Sequence, residues 1–163
     1  KAAGAQALVL ATNTMHKVAA QIEAGSGLPL LHIADACGAA LRQAGVRRVA
    51  LLGTRFTMED DSIVRGRLQT AYGLDVVVPA ADDRATLHRV IYDELCRGVV
   101  SDTSRAAVVA LIERQRAQGA EAVVLGCTEI TLLINADCSP LPVFDSTALH
   151  AALAVQWLTR EHP

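Results

Sequence analysis

An α/β fold with parallel sheets is predicted by three observations. Short apolar, β-branched runs alternate with amphipathic stretches; the runs are continuous, as in strands buried on both faces; and the stretches between them carry helical spacing. Six runs read as strands, over 7–10, 28–33, 49–52, 74–78, 122–125 and 141–144. Between them, Leu68, Ala71 and Tyr72, then Val90, Ile91 and Leu95, mark buried helix faces. Asp83 stands before a periodic stretch as a candidate cap. Ser101-Asp102-Thr103-Ser104 offers an N-cap to a helix running through Gln118, and Gly119 suits its C-terminal end.

With 163 residues, the chain has room for one ordinary domain or for two small lobes sharing a core. Hydrophobic residues make up 52% and charged residues 20%, which places it far from disordered compositions. Fifteen Lys+Arg nearly cancel 17 Asp+Glu, and the aromatics are only Phe56, Tyr72, Tyr92, Phe144 and Trp157. A basic groove or a base-stacking platform for nucleic acid is therefore not expected. Charges or turn residues interrupt every apolar run before the roughly 18–20 residues of a membrane span. Cys37, Cys96, Cys127 and Cys138 form no C-x-x-C pair, which favours free thiols and a cytoplasmic location. The chain opens on Lys1 with no signal-peptide pattern, so its start reads as cut.

Two segments echo each other. Leu8-Val9-Leu10-Ala11-Thr12-Asn13-Thr14 and Val123-Val124-Leu125-Gly126-Cys127-Thr128-Glu129 both run from a strand through a small residue to a threonine and an expected helix start. Ligands of parallel α/β sheets bind at strand carboxyl ends, so the echo predicts two related half-sites. Cys127 is the foremost reactive candidate: at a helix start its thiol pKa should be lowered. A free cysteine is more often a small buried filler, and Thr128 and Glu129 serve equally as ordinary caps. Asn13 and Thr14 can offer an anion an amide, a hydroxyl and backbone N–H groups, although such a run is commonly simple capping. His16, one turn on, is held in reserve as a base. Thr54 and Thr57, after the strand 49–52, could add donors to the same crevice.

The other thiols lack an activator: Cys37 and Cys96 read as fillers in amphipathic helices, and Cys138 lies in a loop. His16, His32, His88, His150 and His162 are spread without metal-ligand spacing, and the glycines form no phosphate loop. No metal or cofactor is indicated.

Ala11-Thr12-Asn13-Thr14-Met15-His16-Lys17, His32-Ile33-Ala34-Asp35, Leu51-Leu52-Gly53-Thr54-Arg55-Phe56-Thr57-Met58, Gly126-Cys127-Thr128-Glu129-Ile130 and Pro142-Val143-Phe144-Asp145 together resemble the aspartate/glutamate racemase family. The match is closest to its bacterial broad-specificity amino-acid racemases and spans nearly the whole chain. The resemblance implies a cofactor-independent racemase of two pseudo-symmetric Rossmann-like lobes, usually a homodimer, with one cysteine from each lobe flanking the substrate α-carbon. Carried over by position, Cys127 is the second-lobe thiol and Glu129 its orienting or proton-handling neighbour. Asn13, Thr14 and Thr128 bind the substrate carboxylate, and Thr54 and Thr57 add contacts.

Two departures stand out against that family. Ala11 occupies the position of the first-lobe cysteine, and a methyl group exchanges no proton. An engineered variant, a natural one-sided decarboxylase or isomerase using Cys127, and a silent carboxylate binder all stay open. The family's Gly-rich first strand and the elements after it have no counterpart here, so the first lobe is expected to be incomplete. It would comprise 1–33 with a C-terminal helix within 141–163 returning to it, while 34–140 form the second lobe. Exposed apolar edges would follow. Arg55 and Arg97 are the weak candidates for holding a distal carboxylate.

Overall fold

The computed structural model describes residues 1–159; His162 therefore lies outside the described residues. All six expected strands are present, every pairing among them is parallel, and they form two sheets. β1 (Leu8–Val9) pairs with β2 (Leu30–Leu31). The larger sheet has the order β4-β3-β5-β6, with β3 at Arg48–Gly53, β4 at Asp75–Val77, β5 at Ala122–Gly126 and β6 at Val143–Asp145. The register sets Gly53 opposite Gly126, so the carboxyl ends of the two central strands lie side by side.

Why the central strands read as unbroken apolar runs is visible in the core. Ala50, Leu52, Val123 and Leu125 face one layer, and Val49, Leu51, Ala122 and Val124 face the other. The first layer is closed by α5 (Ala81–Arg89) and α6 (Asp102–Ala117), the second by α2 (Ile33–Gln43) and α4 (Arg65–Tyr72). Ser101 caps α6 as anticipated, accepting from the Ser104 N–H at 3.1 Å, and Gly119 takes the left-handed φ of +90° just beyond its end. Asp83 is not a cap: α5 begins two residues earlier, and the Asp83 carboxylate instead accepts from Nε and Nη2 of Arg114, at 3.0 and 2.6 Å.

Two departures from regular helix shape the site. α5 runs on into a π-helical turn at Val90–Glu94 and a 3₁₀ turn at Leu95–Arg97. The strand end after β3 leads only into the five-residue α3 (Arg55–Glu59). α1 (Ala19–Ser26) follows a 3₁₀ turn at Thr14–Val18. α7 (Ser146–Thr159) lies against α2 and reaches β2. Apolar side chains remain open on β1 and α7, with Val9 at 49%, Val155 at 59% and Leu158 at 73% exposure. No helix among the described residues is long and apolar enough to cross a membrane.

The small sheet shares no ladder with the large one, and a buried imidazole cluster helps tie it down. The Ile33 N–H donates to His16 Nε2 at 3.1 Å, so His16 Nδ1 carries the proton and donates to the Thr12 carbonyl at 2.7 Å. His32 caps α2 by accepting from the Ala34 N–H at 3.1 Å, and His150 Nε2 donates to the Leu31 carbonyl at 2.6 Å. The ring centroids of His16 lie 4.4 Å from His32 and 5.7 Å from His150. Burial, then the charges around it, pulls His32 down to about 4, and burial likewise lowers His16.

Both imidazoles are thus held neutral in the fold, whereas in the unfolded chain they take up protons below about pH 6.5. Their stabilisation is complete above that pH and is lost as pH falls toward 4. Urea midpoints should therefore drop between pH 7 and 4.5 by an amount equivalent to roughly 1–2 kcal/mol from His32. His32→Asn, which keeps a capping oxygen, should flatten the drop; an unchanged pH profile would refute this account. At the paired strand ends, a Cβ on Gly53 would lie 2.9 Å from the Gly126 carbonyl oxygen. Gly53→Ala should cost about 1–3 kcal/mol in the same assay.

Candidate active site

A cavity of about 340 Å³ opens at the carboxyl ends of β1, β3 and β5. Its wall collects Ala11, Thr12, Asn13 and Thr14 from the turn after β1, Thr54 from the end of β3, and Gly126, Cys127, Thr128 and Glu129 from the end of β5. The two echoed segments therefore meet in one hollow. Thr57 does not line it: fully buried, it lies behind the wall with its hydroxyl 3.4 Å from both Thr14 Oγ1 and Thr54 Oγ1.

The strand ends were expected to open into helices whose dipoles polarise the site. Instead the turn after β1 is a five-residue 3₁₀ segment with no side-chain cap from Asn13, and the turn after Glu129 is the three-residue Ile130–Leu132. The three-residue turn aligns too few peptide dipoles to matter, whereas the segment after β1 runs straight on into α1. Donors to a bound anion must come from threonine hydroxyls and loop amides.

Burial and a neighbouring carboxylate invert the expected state of Cys127. The residue is 6% exposed, and its Sγ donates to Glu129 Oε2 at 3.0 Å. Burial first, and then this hydrogen bond to a carboxylate, push the thiol up to about 12. Burial works against ionisation of Glu129 too, yet the hydrogen bonds from Cys127 and Thr128 outweigh it and hold the carboxyl below its ordinary range. The resting pair is a protonated thiol on an ionised carboxylate.

Asn13 is 5% exposed and does not cap the following turn. Its Nδ2 donates to Ser146 Oγ at 3.1 Å, and the Ser146 hydroxyl donates to the Leu125 carbonyl at 2.7 Å. One of its two amide N–H groups is thus engaged away from any carboxylate in the cavity. His16 supplies no base: it is 2% exposed, both ring nitrogens are bonded to backbone, and it lies off the cavity wall. Arg55 ion-pairs with Glu59 at 4.0 Å and Arg97 with Asp93 at 3.9 Å, and neither reaches the wall.

Three lining residues were not anticipated. The π-helical turn brings Ile91 and Tyr92 to the rim, and Cys96 follows from the 3₁₀ turn. Cys96 is exposed, unlike the filler it was taken for, whereas Cys37 is fully buried and its thiol is pushed up to about 12 by burial. Partial desolvation and then the Glu129 charge raise the Cys96 thiol as well. Among the described residues, no group of three His, Cys, Asp or Glu could hold a metal ion.

A sequence profile for the family Asp/Glu/Hydantoin racemase matches residues 1–154. Among solved structures, the chain is similar to a candidate Asp/Glu racemase from Yersinia pestis, at 50% identity and a TM-score of 0.93, over 98% of this chain and 69% of that one. It is similar to an aspartate racemase homologue from Pyrococcus horikoshii at 33% identity and a TM-score of 0.86, over 98% and 69%. With an aspartate racemase from Picrophilus torridus it shares the fold, at 24% identity and a TM-score of 0.69, over 99% and 66%.

Thiol labelling tests the protonation described here. Iodoacetamide at pH 8 should modify Cys96 first and leave Cys127 largely unlabelled, as read by peptide mass spectrometry. The Cys127 rate should climb about tenfold per pH unit beyond pH 9. A plateau between pH 7 and 9 would mean that the thiolate forms at ordinary pH.

Proposed function

Because the chain belongs to the Asp/Glu/hydantoin racemase family, we propose that this cavity moves a proton at the α-carbon of a small amino acid, with Cys127 as the group that handles it. The observation that carries the reading is the 3.0 Å hydrogen bond from Cys127 Sγ to Glu129 Oε2, inside a hollow that also receives the 11–14 turn. In the protonated resting state, Cys127 is the acid that returns a proton to a carbanion. For abstraction Glu129 takes the thiol proton as the sulfur takes the α-hydrogen, leaving the pair with one proton more and the substrate with one fewer; the return runs the same path backward, the thiol giving its proton to the carbanion while the Glu129 carboxyl gives one to the sulfur. The negative charge left on the substrate delocalises into its carboxylate, where the hydroxyls of Thr14 and Thr54 serve as donors, that of Thr128 being turned to Glu129. No cofactor enters this scheme.

Ala11 lines the same hollow from the other half-site, and its methyl group exchanges nothing. That favours a second reading, a one-sided decarboxylase or isomerase that uses Cys127 alone. The lobes in this proposal are 1–33, which α7 reaches through the His150–Leu31 hydrogen bond, and 34–140 together with β6, which pairs with β5; they join around the cavity. Homodimeric assembly and a cytoplasmic location belong to the same reading, the latter supported by four free cysteines.

Deuterium uptake from D₂O by L- and D-aspartate and by neutral amino acids separates the readings. With Cys127 alone, one enantiomer should exchange with retention, and Cys127→Ala should abolish the exchange. Ala11→Cys should raise interconversion of the enantiomers by about 100-fold or more. Equal exchange of both hands in the unsubstituted protein would refute the one-thiol scheme, and no exchange by any variant would leave a carboxylate binder.

A further inference from the structure

We infer that Tyr92 is a specificity-determining residue: its ring, held by His88 and Phe56, forms a side-chain subsite at the cavity rim that selects an amino acid with an apolar side chain, aromatic best, over aspartate or glutamate. The inference rests on the amino-acid reading of the site and deepens it. The charges of the wall come first. Glu129 is its ionised group, and no Lys, Arg or His lines the hollow among the described residues. Arg55 and Arg97 are turned to Glu59 and Asp93. A second carboxylate on the ligand would lose water beside Glu129 and meet no counter-charge, which costs affinity.

The rim supplies the opposite preference. Donors for the α-carboxylate lie at the strand ends, whereas the helical side of the wall is Ile91, Tyr92 and Cys96. Ile91 is buried in the core, so Tyr92, 46% exposed, is the large apolar surface on that side that a ligand can cover. Covering it removes apolar area from water on both partners.

Independently of charge, the ring is fixed before any ligand arrives. Tyr92 follows His88 by four residues, and their ring centroids are 4.6 Å apart at an interplanar angle of 51°. His88 in turn meets the ring of Phe56 edge-on, at 5.8 Å and 80°. His88 Nδ1 accepts from the Arg55 N–H at 3.2 Å, and Arg55 directly follows Thr54 of the same cavity wall. The stack Tyr92–His88–Phe56 thus ties the rim to the end of β3. A ring braced in this way loses little freedom when a ligand covers it, and it offers another ring the offset or edge-on contact that an aliphatic patch does not.

Calorimetry on the full chain with phenylalanine, leucine, alanine and aspartate, each as both enantiomers, tests the subsite. Taking the tighter enantiomer of each, phenylalanine should bind about tenfold or more tightly than aspartate or alanine, with leucine between. In Tyr92→Ala the phenylalanine-to-alanine ratio should fall below about threefold, and Tyr92→Phe, which keeps the ring, should hold it within about twofold of the unsubstituted protein. Aspartate binding as tightly as phenylalanine overturns the side-chain class. A ratio that Tyr92→Ala leaves unchanged, or that Tyr92→Phe abolishes, overturns the role of the ring. If none of the four binds or takes up deuterium, the amino-acid reading itself falls, a result distinct from tight binding of the wrong side chain. The ranking in the unsubstituted protein needs no substitution, so a variant that fails to fold does not shield the proposal.

Discussion

A thin polar seam carries the geometry of the site, because the two sheets of this fold share no strand. The turn after β1 is held against the large sheet by two short relays. One runs from Asn13 through Ser146 to the Leu125 carbonyl, and the other from Thr14 through Thr57 to Thr54. Behind them the His16, His32 and His150 cluster fastens the same turn to α2 and α7 through backbone groups. Hydrogen bonds fix direction as well as distance, which apolar packing does not. Ala11 and Cys127 face one hollow because these relays set the angle between the half-sites.

The second constraint is electrostatic. Expelling water from around Cys127 and placing a carboxylate at its sulfur stabilises S–H over S⁻. A nucleophilic role at neutral pH would need the opposite bias. Proton delivery, the proposed role, needs this one. A site that works on a weakly acidic carbon benefits from holding its acid and base in direct contact, since no solvent must reorganise between the two transfers.

Much of this was legible in the amino-acid order, for identifiable reasons. Strands buried on both faces leave uninterrupted apolar runs, so β3 and β5 were visible almost to their ends at Gly53 and Gly126. The shared motif of small residue and threonine marked both half-sites. What escaped depends on distant partners or on helix geometry that spacing does not encode. Asp83 sits where a cap would sit, but Arg114, a helix away, claims it. Cys96 lies among residues with ordinary helical spacing, and nothing local announces the π-helical turn that precedes it. Ser146 follows Asp145 in what looks like a routine helix start, and only the positions of Asn13 and Leu125 reveal its task. The protonation of Cys127 was misjudged because spacing shows neither how deeply the thiol is buried nor that the Glu129 carboxylate turns back to its sulfur.

The π-helical turn at Val90–Glu94 separates the floor of the hollow from its rim. Strand ends pinned by a ladder supply the floor, and any change there disturbs the sheet. The rim hangs on one surplus residue in a helix, and losing it would turn the last turn of that helix by about 100°. Tyr92 and Cys96 could thus be exchanged for other neighbours by a single-codon deletion in a segment that belongs to neither central strand. Such an arrangement lets the lining of the rim drift through helix phase while Cys127 and Glu129 stay put.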